Sequence, residues 1–362
     1  MVSRDMIQKY VLYIGTYSVR GSRGIYGCIF EPRTGSLQPL GWMAEAVNPS
    51  FLALNESQPI LYSVREVDNY LGKHMGAIDA YRIDTRSGAL EPLNEVTTLG
   101  AGPCYLSVDA RRDLLFTANY AGGSIAAIPL QNDGSLGEPI MVAQHQGSGC
   151  HPDRQNKPHP HAVALSRDGS LLIVADLGMD QILVYRLCFS KGGASLAHVV
   201  KLHDGAGPRH FVMNHPGNHL YIANEIDSTV TVFSFEQESG ILRALQTLST
   251  LPPGYLGPSD AAEIWLSDDD RFLYVSNRGA DTLASFAVHR GLLTPSASYA
   301  ASGSNPITFA STPGEEYMVV ANQGSDQVTL LRRDRIVGAL EPTGWSVRVP
   351  APSSLAFFPL ER

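Results

Sequence analysis

One phrase recurs along the chain at near-equal spacing, and it restricts the fold more than any other feature. It is an apolar strand, a polar turn, a second strand ending in a small residue and Asn or a similar group, then a third strand and often Gly-x-Leu. Six full instances are FLALNESQPILYSVRE, YLSVDARRDLLFTANY, AVALSRDGSLLIVADL, FVMNHPGNHLYIANE, IWLSDDDRFLYVSNR and TFASTPGEEYMVVANQ. A seventh, YVLYIGTY, has no first strand before it, and SSLAFFP (Ser353 to Pro359) supplies one at the opposite end of the chain. The second strands end at Thr16, Arg65, Asn119, Asp176, Asn224, Asn277 and Asn322, with gaps of 49, 54, 57, 48, 53 and 45 residues. That spacing is near the ~40–50 residues of a propeller blade. Tails such as SGALEPLNEV and SGILRALQTL add a fourth strand. The expected fold is all-β: a seven-bladed β-propeller with four antiparallel strands per blade, its ring closed by pairing the C-terminal strand with the N-terminal blade. Closure removes the unpaired edges that the first and last blades would otherwise expose. A two-sheet sandwich is the main rival, but it does not require seven near-equal repeats. No linker or low-complexity tail interrupts the pattern, so residues 1–362 are expected to form a single β-propeller domain.

The formal charge of −8 argues against a nucleic-acid binder, which needs a basic face. It leaves room for an anionic substrate, because a few clustered Arg can invert the local field. Cys28, Cys104, Cys150 and Cys188 show neither a C-x-x-C pair nor zinc-ligand spacing and read as reduced thiols. The N-terminal segment MVSRDMIQKYVLYIGTY carries no apolar signal core, and no run of about 18 apolar residues offers a membrane span. A cytoplasmic protein, a monomer or weak dimer, is expected. The longest irregular stretch is AQHQGSGCHPDRQNKPHP, Ala143 to Pro160, and loops of that length are more often functional than accidental.

Scaffold positions should agree between blades, so positions that diverge toward reactive groups are candidates for a site. Two columns do so. The first, just before each inner strand, holds Ser50, Cys104, His161, Arg209, Ala262, Ile307 and Ser353. The second follows the end of each second strand and holds Tyr17, Glu66, Tyr120, Leu177, Glu225, Arg278 and Gln323. Antiparallel neighbours bring the start of one strand beside the end of the next, so both columns belong to one rim of the central channel. His161, Arg209, Glu225 and Arg278 come from three successive blades and are expected to converge there. Arg suits bidentate capture of a carboxylate or phosphate, and His suits proton transfer at neutral pH.

Each residue also has a structural reading. His161 beside Pro could be solvated, Arg209 and Glu225 could be a simple ion pair, and Arg278 could brace two blades. His159 and His161, two apart on extended chain, could share a metal if a third ligand were present. The recurring Asn119, Asn224, Asn277 and Asn322, with Asp176, read as turn residues that tolerate the left-handed conformation.

At these positions the chain resembles the lactonase family of seven-bladed β-propellers, which spans propeller-type 6-phosphogluconolactonases and carboxymuconate lactonizing enzymes. The motifs that carry the likeness are GTY near the start, RQNKPHPHAV, ADLGMDQILVY, GAGPRHFVMNHPGNHLYIANE and YVSNRG, and they span nearly the whole chain. The resemblance implies a catalytic site of His161, Arg209, Glu225 and Arg278. One departure is Ile307 in NPITF, where many members carry Pro-Arg.

The implied function is hydrolysis of a small anionic sugar lactone, foremost 6-phosphoglucono-1,5-lactone, within carbohydrate metabolism and the pentose phosphate pathway. His161 or Glu225 would act as general base, and Arg209 and Arg278 as anion binders. Arg65, His159, His210 and Glu263 would contact the substrate, and no cofactor or metal would be needed. A cycloisomerase that forms or opens a lactone without water is the second enzymatic reading. A binding propeller without chemistry is the third.

Overall fold

The computed structural model describes residues 9–188 and 193–361. The first eight residues of the N-terminal segment discussed above lie outside the described residues.

Seven four-stranded antiparallel sheets follow one another around a central channel. Blades 2 to 7 take their inner strands from Leu52–Leu54, Pro103–Asp109, Pro160–Leu165, Pro208–Met213, Asp260–Leu266 and Pro306–Ser311. Their second strands are Ile60–Arg65, Leu114–Asn119, Leu171–Asp176, His219–Asn224, Phe272–Arg278 and Tyr317–Asn322. Blade 1 is made from both ends of the chain. Pro352–Pro359 is its inner strand and pairs antiparallel with Tyr10–Thr16, in register from Tyr10↔Pro359 to Gly15↔Ser354, after which a bulge skips Ser353 and Thr16 pairs with Pro352.

The second strands are buried throughout, as in Leu114–Asn119 and Leu171–Asp176, whereas outer strands such as Ile241–Ser249 alternate toward solvent. Each second strand is covered on both faces by neighbouring blades, which is why it reads as a continuous apolar run. The apolar core is accordingly divided among the blade junctions. Between blades 4 and 5, Ile173 and Val184 meet Phe211, Ile222 and Phe233. Between blades 7 and 1, Val319 and Leu330 meet Leu12, Ile14 and Phe30.

A hydrogen bond recurs across these junctions. The buried hydroxyls of Tyr13, Tyr62, Tyr221 and Tyr274 each donate to a glycine carbonyl in the outer turn of the next blade: Gly88 (2.7 Å), Gly134 (2.8 Å), Gly291 (3.0 Å) and Gly338 (2.7 Å). These are the glycines of the Gly-x-Leu phrase. They sit at φ between +71° and +84°, which explains the residue type, and the bond satisfies a phenol that would otherwise be buried without a partner.

The recurring Asn residues correct the sequence reading. Asn119, Asn224 and Asn322 are fully buried strand ends and Asn277 the fully buried residue before one, and none is a left-handed turn residue. Their amides brace the blade, as Asn277 Nδ2 does by donating to Thr250 O (2.8 Å) and Asn322 Nδ2 to Thr329 Oγ1 (2.9 Å). The left-handed conformation falls four residues later, at Gly123, Asp180, Ser228, Asp281 and Asp326. Asp176 differs again, accepting from His145 Nδ1 (2.6 Å) and the His159 N–H (2.8 Å). The four cysteines are unbridged.

Ring closure gives a direct prediction. Deleting residues 352–362 leaves Tyr10–Thr16 as an open edge and removes Phe357 from the Phe30 ring, 5.7 Å away. The truncated chain should lose cooperative melting by circular dichroism and elute as aggregate. A melt and elution volume matching the intact chain would show that closure is dispensable.

Candidate active site

A small irregularity, repeated around the ring, sets up the site. The inner strands of blades 3, 4, 5 and 7 each carry a bulge that skips one residue in the pairing: Cys104, His161, Arg209 and Ile307. In blade 6 the bulge is two residues wide and frees both Ala262 and Glu263. A bulge releases its extra residue from the ladder and re-aims the side chain, here into the channel. The residue after the second strand is held alongside. Glu225 N–H donates to Gly207 O (2.7 Å), Tyr120 N–H to Gly102 O (2.8 Å) and Glu66 N–H to Asn48 O (3.2 Å). The two divergent columns therefore meet at one rim because each blade stitches them together.

They enclose a cavity of ≈ 200 Å³. This is below the roughly 300–1,000 Å³ of drug-sized pockets and suits a single sugar ring. Glu225 is its electrostatic centre. Arg209 Nε and Arg278 Nη2 each lie 2.9 Å from Glu225 Oε2, and Arg154 Nη2 contacts Oε1. Side-chain exposure is 4% for Glu225, 7% for Arg209, 17% for Arg278 and 36% for Arg154, so only Arg154 reaches the mouth. Arg209 also donates from Nη1 to Ala262 O (2.8 Å). Despite their closeness to the carboxylate, Arg209 Nε and Arg278 Nε and Nη2 make no hydrogen bond among the described residues. Three guanidiniums around one carboxylate leave unused donors at the wall, the arrangement expected of a site for an anionic oxygen, although Glu263 and Glu66 line the same cavity and Arg154 also lies 3.9 Å from Asp260.

Burial alone would raise the Glu225 carboxyl, but the guanidiniums of Arg278, Arg209 and Arg154 hold it far below the ordinary carboxylate range. Burial, with Arg209 and His210 adding to it, pushes His161 well below 6.5. Burial and Arg209 also lower His210, while Glu263 opposes them. Both imidazoles are therefore neutral at pH 7. Glu66, on the far side of the cavity, is raised by burial, although it accepts from Tyr17 OH (3.0 Å) and from Ser50 Oγ. Burial pushes the Cys104 thiol, 3.9 Å from His161 Nδ1, well above its ordinary value. It is a neutral thiol, not a thiolate nucleophile.

These shifts predict a pH-dependent stability. Below pH 6.5 the unfolded chain takes up protons at His161 and His210 that the folded chain refuses. Each imidazole then removes up to about 1.4 kcal/mol per pH unit. Glu225 and Glu263, both depressed in the folded state, add to the loss below pH 4.5. Glu66 acts oppositely, its contribution being present at low pH and lost as pH rises through its elevated folded value. Calorimetry should show the melting temperature falling steadily from pH 7 to pH 5. A flat profile over that interval would contradict these assignments.

Of the residues singled out from sequence, His161, Arg209, His210, Glu225, Glu263 and Arg278 line this cavity. Arg65 and His159 do not. Arg65 ends the second strand of blade 2 and turns into the blade, where it binds Asp79 (2.6 Å) and Glu95 (2.5 Å) over the Tyr70 ring. Its neighbour Glu66 occupies the channel position instead. His159 stacks on Tyr120 at 4.3 Å, and its Nδ1 is paired with Tyr120 O (2.8 Å). His161 meets the same ring edge-on at 5.4 Å, so the two histidines flank one aromatic ring. Among the described residues no group of three or more His, Cys, Asp or Glu is placed to hold a metal ion.

Sequence reasoning did not single out Arg154, Glu66, Tyr17 or Ser50. The last three were visible in the two columns. Arg154 comes from the long loop of residues 143–160, outside the repeat. That loop is pinned by fully buried Gln155, whose Nε2 donates to Asp180 Oδ1 (2.6 Å) and Leu177 O (2.9 Å). Asp180 in turn accepts the N–H groups of Gly205 and Gly207, both at 2.8 Å, just ahead of Arg209. The loop rests directly on Gly178, where a Cβ would lie 2.0 Å from Lys157 O. One aspartate thus ties the Arg154 loop to the Arg209 strand.

Comparison with known proteins gives concordant matches. The chain fits the family model described as Lactonase, 7-bladed beta-propeller over residues 11–357. It is 33% identical to a 6-phosphogluconolactonase of Bacillus subtilis, over 96% of this chain and 98% of that one. The solved periplasmic gluconolactonase of Pseudomonas aeruginosa is similar, with TM-score 0.91 and 37% identity over 97% of this chain and 99% of that one. A putative 6-phosphogluconolactonase of Bacteroides fragilis superposes with TM-score 0.88 and 32% identity, over 97% and 98% of the two chains.

Proposed function

The chain belongs to the lactonase family of seven-bladed β-propellers, and from that membership we propose that its cavity hydrolyses a six-membered sugar lactone, with 6-phosphoglucono-1,5-lactone as the substrate. The observation that carries the reading is the cluster at Glu225: three guanidiniums on one carboxylate, unused N–H donors, and two neutral imidazoles around a cavity sized for one ring.

In this reaction a water oxygen attacks the lactone carbonyl carbon and gives its proton to a cavity imidazole. The carbonyl oxygen becomes an oxyanion beside Arg209 and Arg278. Collapse breaks the bond from the carbonyl carbon to the ring oxygen. The ring oxygen takes the proton back, leaving a hydroxyl and a carboxylic acid that ionises at neutral pH. Glu225 is unsuited to be the base, because its neighbours hold it ionised and weakly basic. Its task is to hold the guanidiniums in place. Arg154 at the mouth is the cation within reach of a phosphate that stays outside the ring pocket. Ile307, which also lines the cavity, supplies no charge.

Turnover in ¹⁸O-labelled water tests the reaction class. Enzymatic hydrolysis, after subtraction of the spontaneous rate, should place one ¹⁸O in the product carboxylate. An isomer without label would indicate the cycloisomerase reading, and a rate no faster than buffer on phosphorylated and plain lactones would indicate a binding propeller. A kcat/KM higher for the phosphorylated lactone than for glucono-1,5-lactone would support the proposed substrate, and the reverse order would replace it with the plain sugar.

A further inference from the structure

We infer that His210, oriented by Glu263, is the general base of the hydrolysis, in preference to His161; this rests on the lactone-hydrolase reading above. Both residues owe their place to bulges. His210 follows the bulged Arg209, and Glu263 is the additional residue freed by the wider bulge of blade 6. Glu263 is fixed from three sides. Its Oε1 pairs with His210 Nδ1 at 2.9 Å and accepts the Ile264 N–H at 3.0 Å, and its Oε2 accepts from Thr308 Oγ1 at 2.9 Å. An ionised carboxylate only accepts, so the proton of His210 resides on Nδ1 and the lone pair on Nε2. That Nε2 is buried and has no hydrogen-bond partner among the described residues, although His210 lines the cavity. The ring is locked by edge-on contacts with Tyr105 (5.0 Å), His161 (5.1 Å) and Phe51 (6.2 Å). The result is an imidazole with a fixed tautomer, a carboxylate behind it and a free lone pair, the pairing that acyl-transfer sites use for a base.

His161 lacks this support. Its Nδ1 faces the Cys104 thiol at 3.9 Å, and among the described residues no carboxylate is hydrogen-bonded to it. The charged or titratable groups facing His210 are Glu263, Arg209, Glu225, His161 and Tyr105. Of these, the two carboxylates favour the imidazolium that forms during the reaction, and Arg209 opposes it. In the balanced step, Nε2 takes the water proton as the carbon–oxygen bond forms. The imidazolium, steadied by Glu263, then returns that proton to the ring oxygen as it leaves.

The test measures kcat and KM across pH 5–8 for the intact chain and for His210→Gln, Glu263→Gln and His161→Gln, each checked for folding by circular dichroism. His210→Gln should lower kcat by roughly 10²–10⁴-fold, with KM changed far less. In Glu263→Gln the amide oxygen still accepts from Nδ1–H but the charge is gone. Its kcat should fall roughly tenfold or more, and the acid limb of the kcat profile should move to lower pH, because the imidazolium has lost its counter-charge. His161→Gln should keep the acid limb where it is. An active wild type with an undiminished kcat in His210→Gln would overturn the inference alone, as would an acid limb that disappears in His161→Gln. If His210→Gln does not fold, an unshifted limb in Glu263→Gln overturns it. A wild type no faster than buffer would instead overturn the hydrolase reading beneath it.

Discussion

Glu225→Ala is expected to cost the fold about 3–5 kcal/mol and to abolish turnover. The loss arises from the cations left behind more than from the carboxylate removed. Arg209 and Arg278 lie 2.9 Å from Glu225 Oε2 and are largely buried, and Arg154 contacts the other oxygen. Without Glu225 these guanidiniums retain their desolvation penalty and lose their common counter-charge. At an unfolding entropy of roughly 2.1 cal/mol/K per residue, a domain of 362 residues shifts by about 1.3 °C per kcal/mol, so the melting temperature should fall by roughly 4–7 °C. Glu225→Gln keeps the shape without the charge and should also be destabilised. Thermal unfolding of both variants at pH 7 checks this, and melting temperatures equal to wild type would show that the cluster is not held by the carboxylate.

Arg278→Ala should cost less stability than Glu225→Ala, because Arg209 and Arg154 still neutralise Glu225, while lowering kcat by roughly 10²–10³-fold. Among the described residues neither Nε nor Nη2 of Arg278 makes a hydrogen bond, so the fold gives up only a charge contact. The same unused donors suit the oxyanion that forms when water attacks the lactone. Arg278→Lys should recover little, because an ammonium cannot present two parallel N–H groups. The two variants separate the cluster into a member that holds the site together and a member that acts on substrate. A melting temperature above that of Glu225→Ala, with a large loss of kcat, is the expected pattern for Arg278. A folded Arg278→Ala with wild-type kcat would remove it from the site.

The ring was readable because each blade repeats the same phrase and because the phrase is split between the two ends of the chain. The site was readable for a related reason. Arg209 and Glu225 stand where blades that otherwise agree diverge, and the structure brings both to the cavity. What the pattern could not convey is how each strand ends. Bulges at His161, Arg209 and Glu263 leave no mark in residue type, yet they turn these side chains into the channel. The Arg65 assignment failed by one residue, since the strand-end position points into the blade and the next position, Glu66, points to the channel. Charge made Arg65 attractive, but Asp79 and Glu95 already satisfied it. The Asn positions were displaced by four residues from the true left-handed turns, because buried amide bracing and turn chemistry favour the same residue type. Arg154 lay beyond the reach of a repeat comparison, being placed by Gln155 and Asp180 within a loop that no other blade shares.

The central claim is that the cavity around Glu225 hydrolyses a lactone. The most direct measurement is the hydrolysis rate above buffer for wild type, Arg209→Ala and Glu225→Gln, on 6-phosphoglucono-1,5-lactone and glucono-1,5-lactone. The account predicts a wild type well above the spontaneous rate and both variants reduced by at least roughly 10²-fold. Folded variants that keep the wild-type rate would place the chemistry elsewhere and contradict it.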